Sequence, residues 1–304
     1  MAAWRVADGT WTDRPLAEDS AESPAGFPRT VHDYAGDPLR LARPPSRIAS
    51  QALVTDHFLF AVVSPSRIAA VSSIAHDARY SYVAAEVAGM DVAVVEDGEA
   101  LLRRRPDLLL VSHTARADMV AVARDAGIPT FRLRAAFDDF AQIAAGLETI
   151  GRLTGEERAA GRVIAEFHER AAAAVARRPA AAPSPRVLVY VAMSGTFGAG
   201  SLFDHILTEL GAVNVAAEQG IGPNGTISGE QIAGWNPDWI IADAPAGEED
   251  AVRRRILEQP GVAVTTAGRT GQVLVLDHRR FITMSHHAAR LIEAVAAALY
   301  PDTP

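Results

Sequence analysis

The sequence predicts an α/β protein of two Rossmann-like lobes, each built on a parallel sheet, joined by one long helix. Three observations lead to this prediction. Short apolar runs alternate with helical stretches both before residue 153 and after residue 179. One long amphipathic stretch separates the two series. Two stretches of fourteen residues, one from each series, also share the spacing between a glutamate and a Pro-Asp pair.

The first series predicts an N-terminal lobe over residues 31–153. Apolar runs without alternation are typical of parallel strands that are covered on both faces. The predicted strands are Arg47–Ser50, Arg67–Ser73, Asp91–Val95, Asp107–Ser112 and Pro129–Leu133. The predicted helices are Val54–Val63, one opening at Gly98–Glu99, one ending at Ala126, and Asp138–Arg152. Residues 1–30 are polar and are predicted as an extended arm, with Trp4 and Trp11 as its contacts to the body.

The stretch over residues 154–178 predicts the connecting helix. Its apolar stripe is formed by Ala160, Ile164, Phe167, Ala171 and Ala174. Steps of three and four place these residues on one face of a helix. Thr154 supplies an N-cap, and the proline-rich stretch 179–185 stops the helix. At ~1.5 Å per residue the helix spans roughly 36 Å, enough to carry the chain between lobes. A surface helix of one larger domain is the alternative.

The second series predicts a C-terminal lobe over residues 179–304. The predicted strands are Arg186–Val191, Ala212–Ala216, Trp239–Asp243 and Gln272–Asp277. The predicted helices are Leu202–Leu210, one from Glu230, one through Leu257, and Met284–Leu299. A glycine-rich loop, SGTFGAG at 194–200, follows the first of these strands. It lacks the Lys-Ser/Thr ending of a phosphate-binding loop, so we expect it to follow the contour of a ligand.

An internal duplication is indicated by EALLRRRPDLLLVS at Glu99–Ser112 and EQIAGWNPDWIIAD at Glu230–Asp243. In both stretches a glutamate opens a helix, and a Pro-Asp pair follows directly before an apolar strand. The helix dipole stabilises a carboxylate at such a position by roughly 0.3–1 kcal/mol, which explains one glutamate better than a matched pair. We therefore predict that Glu99 and Glu230 dock onto arginines of a partner.

Composition excludes several classes of protein. The chain has no cysteine, which excludes disulfides, iron–sulfur clusters and thiolate zinc sites. A net charge of −8 argues against a nucleic-acid partner. The longest apolar runs, such as Phe58–Val63, are far shorter than the roughly 20 residues of a membrane span. The first residues do not show the charged and then apolar pattern of an export signal.

Candidate ligand-binding residues follow the predicted strands, because ligands of open parallel sheets bind beyond the carboxyl ends of the strands. They are His76, Tyr80, Tyr82, His113, Arg134, Phe197, Arg279, Arg280 and Phe281. Among the residues just past the strand ends, no two carboxylates lie close together in sequence for acid–base catalysis, so we expect binding without enzymatic activity. A structural role remains the alternative for His113, and a core role for the aromatic residues. His286 and His287 are adjacent and do not share a helix face, so we predict no metal site there.

With these residues considered, the chain resembles the substrate-binding proteins of ABC importers of the helical-backbone class, which carry ferric siderophores, haem or cobalamin. The resemblance runs from about Val31 to Tyr300 and depends on the start RIASQALVTDHFLFAVVSPSRIAAVSS, the paired Glu and Pro-Asp units, and SLFDHILTELGAVNVA with ISGEQIAGWNPDWIIA. It implies that Glu99 and Glu230 face arginines of the permease. It also implies a ligand held between lobes that move little.

The resemblance implies further properties of the whole protein. We expect a monomer in the periplasm or on the outer face of the membrane, working with a permease and an ATPase. It would need no cofactor, because the metal chelate is the transported ligand. The chain departs from the family pattern at Asp56, where many members carry glutamate. Ala93 and Asn224 stand where cobalamin binders place stacking tryptophans, which lowers the rank of cobalamin.

The resulting prediction is capture of a metal chelate, with ferric siderophore first, haem second and cobalamin third. Haem has axial candidates in His76, His113, Tyr80 and Tyr82. An anionic siderophore would meet Arg134, Arg279 and Arg280. The alternative is an intracellular chelatase-like α/β enzyme acting on a tetrapyrrole, in which His113 and a carboxylate move protons. The sequence contains no nucleophile motif, complete P-loop or HExxH to support that enzyme.

Overall fold

Parallel strands followed by helices form both halves of the chain, which confirms the predicted fold class. The computed structural model describes residues 26–191 and 195–301. The described chain divides into two units. The first holds residues 26–136, 141–167 and 284–286, and the second holds residues 137–140, 168–283 and 287–301. The predicted arm lies outside the described residues up to residue 25, together with Trp4 and Trp11.

A five-stranded parallel sheet forms the core of the first unit, in the order β5-β4-β3-β6-β7. Its strands are β3 (Ile48–Ser50), β4 (Ile68–Val71), β5 (Ala93–Val94), β6 (Leu108–Ser112) and β7 (Thr130–Leu133). Its helices are α1 (Leu53–Val62), α2 (Ala84–Ala88), α3 (Gly98–Arg104), α4 (Ala117–Asp125) and α5 (Phe140–Thr154), with 3-10 turns at Pro65–Arg67 and Ser73–His76. Both β3 and β6 are buried over their whole length. Unbroken burial is the reason that these strands read as continuous apolar runs.

The strand order of this sheet fixes where polar residues gather. The chain starts at the centre with β3, adds β4 and β5 on one side, and then continues on the other side with β6 and β7. In such sheets the ends of the two central strands separate into a crevice. Here those ends are Ser50 of β3 and Ser112 of β6.

A hairpin that the sequence did not predict precedes this sheet. It consists of β1 (Arg29–His32) and β2 (Pro38–Leu41), paired antiparallel. Only Val31 and Leu41 are buried, so the apolar signal of the two strands is weak. Gly36 lies in the connecting turn at φ +87°, a conformation that glycine adopts without strain.

A four-stranded parallel sheet forms the core of the second unit, in the order β10-β8-β12-β13. Its strands are β8 (Arg186–Tyr190), β10 (Val213–Asn214), β12 (Trp239–Ala244) and β13 (Val273–Asp277), and a separate antiparallel pair is formed by β9 (Gly195–Thr196) and β11 (Gly225–Thr226). Its helices are α7 (Leu202–Glu209), α8 (Val215–Glu218), α9 (Gly229–Trp235), α10 (Glu249–Leu257), α11 (Pro260–Ala263), α12 (Thr266–Thr270), α13 (His278–Phe281) and α14 (Ala288–Leu299).

Two predicted elements of this unit have different bounds in the structure. The predicted strand Ala212–Ala216 is only β10, because the Asn214 side chain accepts a hydrogen bond from the Ala216 N–H and caps α8. The last helix was predicted from Met284 but begins at Ala288. Asp277 caps the short helix α13 instead, by accepting from the Arg280 N–H at 3.0 Å.

The predicted connecting helix is observed as the shorter α6 (Glu157–Val175). The predicted N-cap Thr154 instead ends α5, where its hydroxyl donates to the Ile150 carbonyl at 2.7 Å. Its start is set by Gly155, whose φ of +76° separates it from α5. The predicted stripe is buried at Ala160, Phe167, Ala171 and Ala174. Residues of α6 up to Phe167 belong to the first unit, and those from His168 belong to the second. Among the described helices, none has both the length and the apolar composition needed to cross a bilayer.

The two fourteen-residue repeats adopt the same local structure. Helices α3 and α9 each have seven residues and end in a left-handed residue, Arg105 at φ 47°, ψ 60° and Asn236 at φ 47°, ψ 63°. The Pro-Asp pair then leads into β6 or β12. Because the geometry repeats as well as the spacing, the repeated residues have a shared structural purpose.

That purpose is to fix the start of β3 in the first unit and of β8 in the second. The Asp107 carboxylate accepts from the Arg47 N–H at 2.8 Å, and the Asp238 carboxylate accepts from the Arg186 N–H at 2.9 Å. The same arginines reach back to the helix ends. Arg47 Nε donates to the Arg104 carbonyl at 2.6 Å, and Arg186 Nη2 donates to the Trp235 carbonyl at 3.1 Å. The spacing of the repeat does not indicate that Arg47 and Arg186, which lie outside it, take part.

Candidate functional site

The crevice edge of the first unit carries His113, which follows β6. Its backbone N–H donates to the Leu133 carbonyl at 2.8 Å, and its Nδ1 accepts from the Ala135 N–H at 3.2 Å. A neutral imidazole whose Nδ1 accepts a hydrogen bond carries its proton on Nε2. The ring is therefore prepared to donate from Nε2, and has no lone pair there for a metal.

Tyr34, which sequence reasoning missed, lies beside His113. The two ring centroids are 5.0 Å apart, and Tyr34 is 54% exposed. It is held by its backbone N–H, which donates to the Arg132 carbonyl at 2.8 Å. The sequence signal that could have indicated Tyr34 is an aromatic residue within a short turn sequence, DYAGD at 33–37. The predicted Arg134 is half-buried close by, and its Nε donates to the Ala136 carbonyl at 2.7 Å.

Three further predicted residues lie on one segment after β4. His76 is exposed at the end of the 3-10 turn, whereas Tyr80 and Tyr82 are half-buried. The Arg79 guanidinium lies 5.5 Å from the Tyr80 ring and pairs with Asp77 at 2.5 Å. This pairing, with Arg79 as hydrogen-bond donor, lowers the pKa of Asp77 to about 2. The segment is therefore a charged and aromatic surface.

Beneath this segment, α1 places two ionisable residues in the core. Asp56 is 0% exposed and His57 is 3% exposed. Burial raises the pKa of Asp56 to about 7, although hydroxyl donors from Ser50 and Ser72 oppose the rise. Burial lowers the pKa of His57 to about 3, and the charge of His286 adds to the decrease. Both side chains are thus neutral over a wide range of acidic pH.

The second unit places predicted Phe197 on a cluster of three phenylalanines. Its ring stacks on Phe203 with centroids 5.5 Å apart and planes 7° apart. Phe281 packs on Phe203 at 4.7 Å and is only 2% exposed, so its ring supports the cluster and leaves little surface for a ligand. Phe197 is the half-buried member, and it is the ring of this cluster with accessible surface.

A histidine–aspartate pair lies where β12 and β13 end, beside the predicted arginines. His278 Nδ1 and Asp243 Oδ2 are 2.7 Å apart. In the neutral imidazole the carboxylate accepts the Nδ1 proton, and the lone pair is then on Nε2. Arg279 Nε lies 3.9 Å from Asp277, and Arg280 follows it. Adjacent strands bring Asp243 and His278 together, although thirty-five positions separate them.

The two predicted docking residues are exposed on equivalent helices. Glu99 lies in the first turn of α3, its side chain is 90% exposed, and Arg103 is 3.6 Å away. Glu230 lies in the first turn of α9 and is also exposed. Among the side chains that the structure describes, no group of three or more His, Asp or Glu residues is arranged to hold a metal ion.

Solved structures with the same fold include the apo form of the periplasmic heme-binding protein RhuT from Roseiflexus sp. RS-1. It superposes with a TM-score of 0.70 at 20% identity, over 84% of this chain and 98% of that chain. A protein from Staphylococcus epidermidis ATCC 12228, described as a possible iron-binding periplasmic solute-binding protein, gives a TM-score of 0.73 at 18% identity, over 85% and 100%. At these identities the likeness establishes the fold.

Sequence comparison identifies closer relatives. Cobalamin-binding proteins from two strains of Halobacterium salinarum are each 30% identical over 201 residues, which is 65% of this chain and 53% of theirs. The chain thus spans about half the length of the curated relatives it matches. The family model for periplasmic binding proteins matches residues 48–279, most of the chain. The chain belongs to the periplasmic binding protein family.

Proposed function

We propose that this protein is the substrate-binding component of an ABC importer and that its ligand is a metal tetrapyrrole, either a haem or a corrinoid. The observation that carries the proposal is the chemistry beyond the strand ends. Each unit places an accessible aromatic ring there, Tyr34 in the first and Phe197 in the second, together with an oriented histidine. Aromatic faces and a few placed polar groups suit a large flat chelate.

The relatives support a tetrapyrrole over the ferric siderophore that the sequence ranked first. The two Halobacterium salinarum relatives are named for cobalamin, and the structural neighbour RhuT is named for heme. The chain lacks the stacking tryptophans of cobalamin binders, but Phe197 offers another aromatic ring on which a corrinoid could stack. We therefore place the two tetrapyrroles together ahead of the siderophore.

The two histidines receive different roles in this proposal. His113 would donate its Nε2 proton to an acceptor on the ligand, such as a carboxylate. His278, oriented by Asp243, has the lone pair on Nε2 and is the better metal ligand of the two. The half-buried Arg134 and Arg280 would pair with anionic groups of the ligand. His76, Tyr80 and Tyr82 stay predicted contacts of the same ligand.

The test is a titration of intrinsic tryptophan fluorescence with haemin, cyanocobalamin and ferric hydroxamate and catecholate siderophores, with inner-filter controls. We expect saturable quenching by haemin or cyanocobalamin without chemical turnover. Phe197→Ala should weaken that binding at least tenfold, whereas Phe281→Leu should change it little. Binding of a siderophore alone would show that the tetrapyrrole assignment is wrong. Turnover of the ligand would favour the chelatase-like alternative.

The two histidine roles can be separated when haemin is the ligand. His278→Ala should shift the Soret band of bound haemin, because it removes a ligand of the iron. His113→Ala should weaken binding without that shift. An unchanged spectrum in His278→Ala would contradict the metal-ligand assignment.

A further inference from the structure

Two neighbouring core residues of α1 hold the two ends of one surface segment, residues 72–82. The segment begins directly after β4 and ends at Tyr82, just before α2. It carries three of the predicted ligand contacts, His76, Tyr80 and Tyr82. Asp56 contacts its first residue and His57 contacts its last.

Asp56 anchors the start of the segment at Ser72. The Ser72 hydroxyl donates to the Asp56 carboxyl group, and the Ser72 N–H lies 3.5 Å from Oδ1 of the same group. Ser72 is 1% exposed and directly precedes the 3-10 turn that ends at His76. The carboxyl group therefore fixes the direction in which the chain leaves β4.

His57 anchors the end of the segment at Tyr82. Its Nε2 accepts from the Tyr82 N–H at 3.1 Å, and its ring lies edge-on to the Tyr82 ring with centroids 5.8 Å apart. Because Nε2 accepts, the proton of the neutral ring is on Nδ1, which donates to Ser285 Oγ at 3.2 Å. The buried His57 ring is thus bonded at both nitrogens, to Ser285 on one side and to Tyr82 on the other.

Between the two anchors the segment has bonds of its own. The N–H groups of Tyr80 and Ser81 both donate to the Asp77 carbonyl, at 3.0 and 2.9 Å. These local bonds shape the middle of the segment, and near its start the Ser73 N–H also donates to Glu96 Oε2 at 3.0 Å. Burial of the Asp56 carboxyl group and the His57 imidazole costs free energy. Their hydrogen bonds to the two ends of the segment offset part of that cost.

We infer that Asp56 and His57 are positioning residues that fix residues 72–82 to α1 and so set where His76, Tyr80 and Tyr82 meet the ligand. The contact with a ligand rests on the proposed function. The fixing of the segment does not, and it can be measured without any ligand. Arg79 makes this possible, because its side chain is 68% exposed in the middle of the segment and provides a tryptic site.

The experiment is limited trypsin digestion of the whole protein, with the rates of cleavage after Arg79 and after Arg103 followed by mass spectrometry. Arg103 is 69% exposed on α3 and serves as the internal reference. His57→Leu removes the acceptor for the Tyr82 N–H, and we expect the Arg79-to-Arg103 rate ratio to rise about tenfold. His57→Gln keeps an acceptor oxygen near the Nε2 position, so its ratio should stay within about twofold of wild type.

Ser72→Ala tests the other end with a change that the fold tolerates more easily. It removes the hydroxyl donor to Asp56, and we expect the ratio to rise about threefold. A ratio that stays at the wild-type value in both His57→Leu and Ser72→Ala would overturn the inference. So would an equal rise at both arginines, because that pattern reports general loss of stability.

The same variants are then titrated with haemin and cyanocobalamin. Weaker binding by His57→Leu, with His57→Gln close to wild type, supports the inference. Unchanged binding by His57→Leu, although cleavage after Arg79 accelerates, overturns the role in placing the ligand contacts. If wild type binds neither compound, the proposed function fails, and the cleavage ratio alone decides whether Asp56 and His57 fix the segment.

Discussion

Asp56 and His57 are adjacent in sequence, and burial shifts their pKa values in opposite directions. Burial raises the pKa of Asp56 from 3.8 to about 7, because the ionised carboxylate loses its hydration. Burial lowers the pKa of His57 from 6.5 to about 3, because the imidazolium loses hydration in the same way. Between about pH 4 and 6.5, unfolding releases a proton from Asp56 and adds one to His57.

The stability of the wild-type protein should therefore show little net pH dependence from this pair. The Asp56 contribution is present below pH 3.8 and is lost as the pH rises through about 7. The His57 contribution is present above pH 6.5 and is lost as the pH falls through about 3. In the shared range the two slopes have opposite signs and cancel.

Single substitutions should expose each slope. Relative to wild type, His57→Gln should lose stability as the pH rises from about 4 to 6.5. Asp56→Asn should lose stability as the pH falls over the same range. Each slope has an upper limit of about 1.4 kcal/mol per pH unit. Urea unfolding of the three proteins at several pH values measures this, and slopes of the same sign in both variants would contradict the opposed shifts.

At the scale of elements, the repeated helix, Pro-Asp pair and strand form a clamp in each unit. In both copies, the arginine at the start of the first strand donates its backbone N–H to the aspartate and its guanidinium to a carbonyl at the helix end. The clamp in the first unit has additional donors, because the Ser46 N–H and hydroxyl both reach Asp107 Oδ2 at 2.8 Å. The pKa of Asp107 is lowered overall. Burial acts to raise it, but the hydrogen bonds that Ser46 and Arg47 donate to the carboxylate outweigh this effect.

The two aspartates should differ in what they contribute to stability. Asp107→Ala should lower the free energy of unfolding by about 2–4 kcal/mol, because several donors to a charged acceptor lose their partner. Asp238→Ala should cost about 1–2 kcal/mol, because it leaves the Arg186 N–H without its acceptor. Urea unfolding measures both. Glu99→Ala is the control, since its side chain is 90% exposed and its loss should cost little. Equal costs at the two aspartates would count against this account.

At the scale of the whole molecule, the two copies of the repeat present Glu99 and Glu230 at equivalent positions. Both are exposed, and both are in the first turn of a seven-residue helix. Neither is part of the clamp below it. Because Glu99 and Glu230 take no part in the clamp, replacing them leaves its hydrogen bonds intact, as a docking surface requires.

Under the proposed function, replacement of both glutamates by alanine should abolish uptake and leave ligand affinity in solution unchanged. The physical reason is that Arg–carboxylate pairs at a docking surface act only when the permease is present. Uptake is measured in cells or vesicles that hold the permease and ATPase. A double variant of the exposed Glu86 and Glu248, one from each unit, makes the same charge change and should transport normally. An equal loss in that control, or weaker ligand binding in solution, would refute the docking assignment.

The elements that the sequence predicted well are those with a strong periodic signal. The strands β3, β6, β8 and β12 are apolar runs that are buried on both faces, and their positions agree within about two residues. The hairpin β1–β2 was missed, because only two residues of its strands are buried. The last helix was predicted four residues too early, because Asp277 caps a short helix and periodicity alone cannot show such a cap.

The sequence by itself determined the fold class, the internal duplication and the family, because apolar runs and repeated spacing are properties of the linear chain. Tertiary structure decided the chemistry of the site. His278 meets Asp243 only because β12 and β13 are neighbours, and His113 meets Tyr34 only because a hairpin bonds to β7. Which ring nitrogen carries the proton, and which carboxyl group is neutral, depends on burial and on partners far away in sequence.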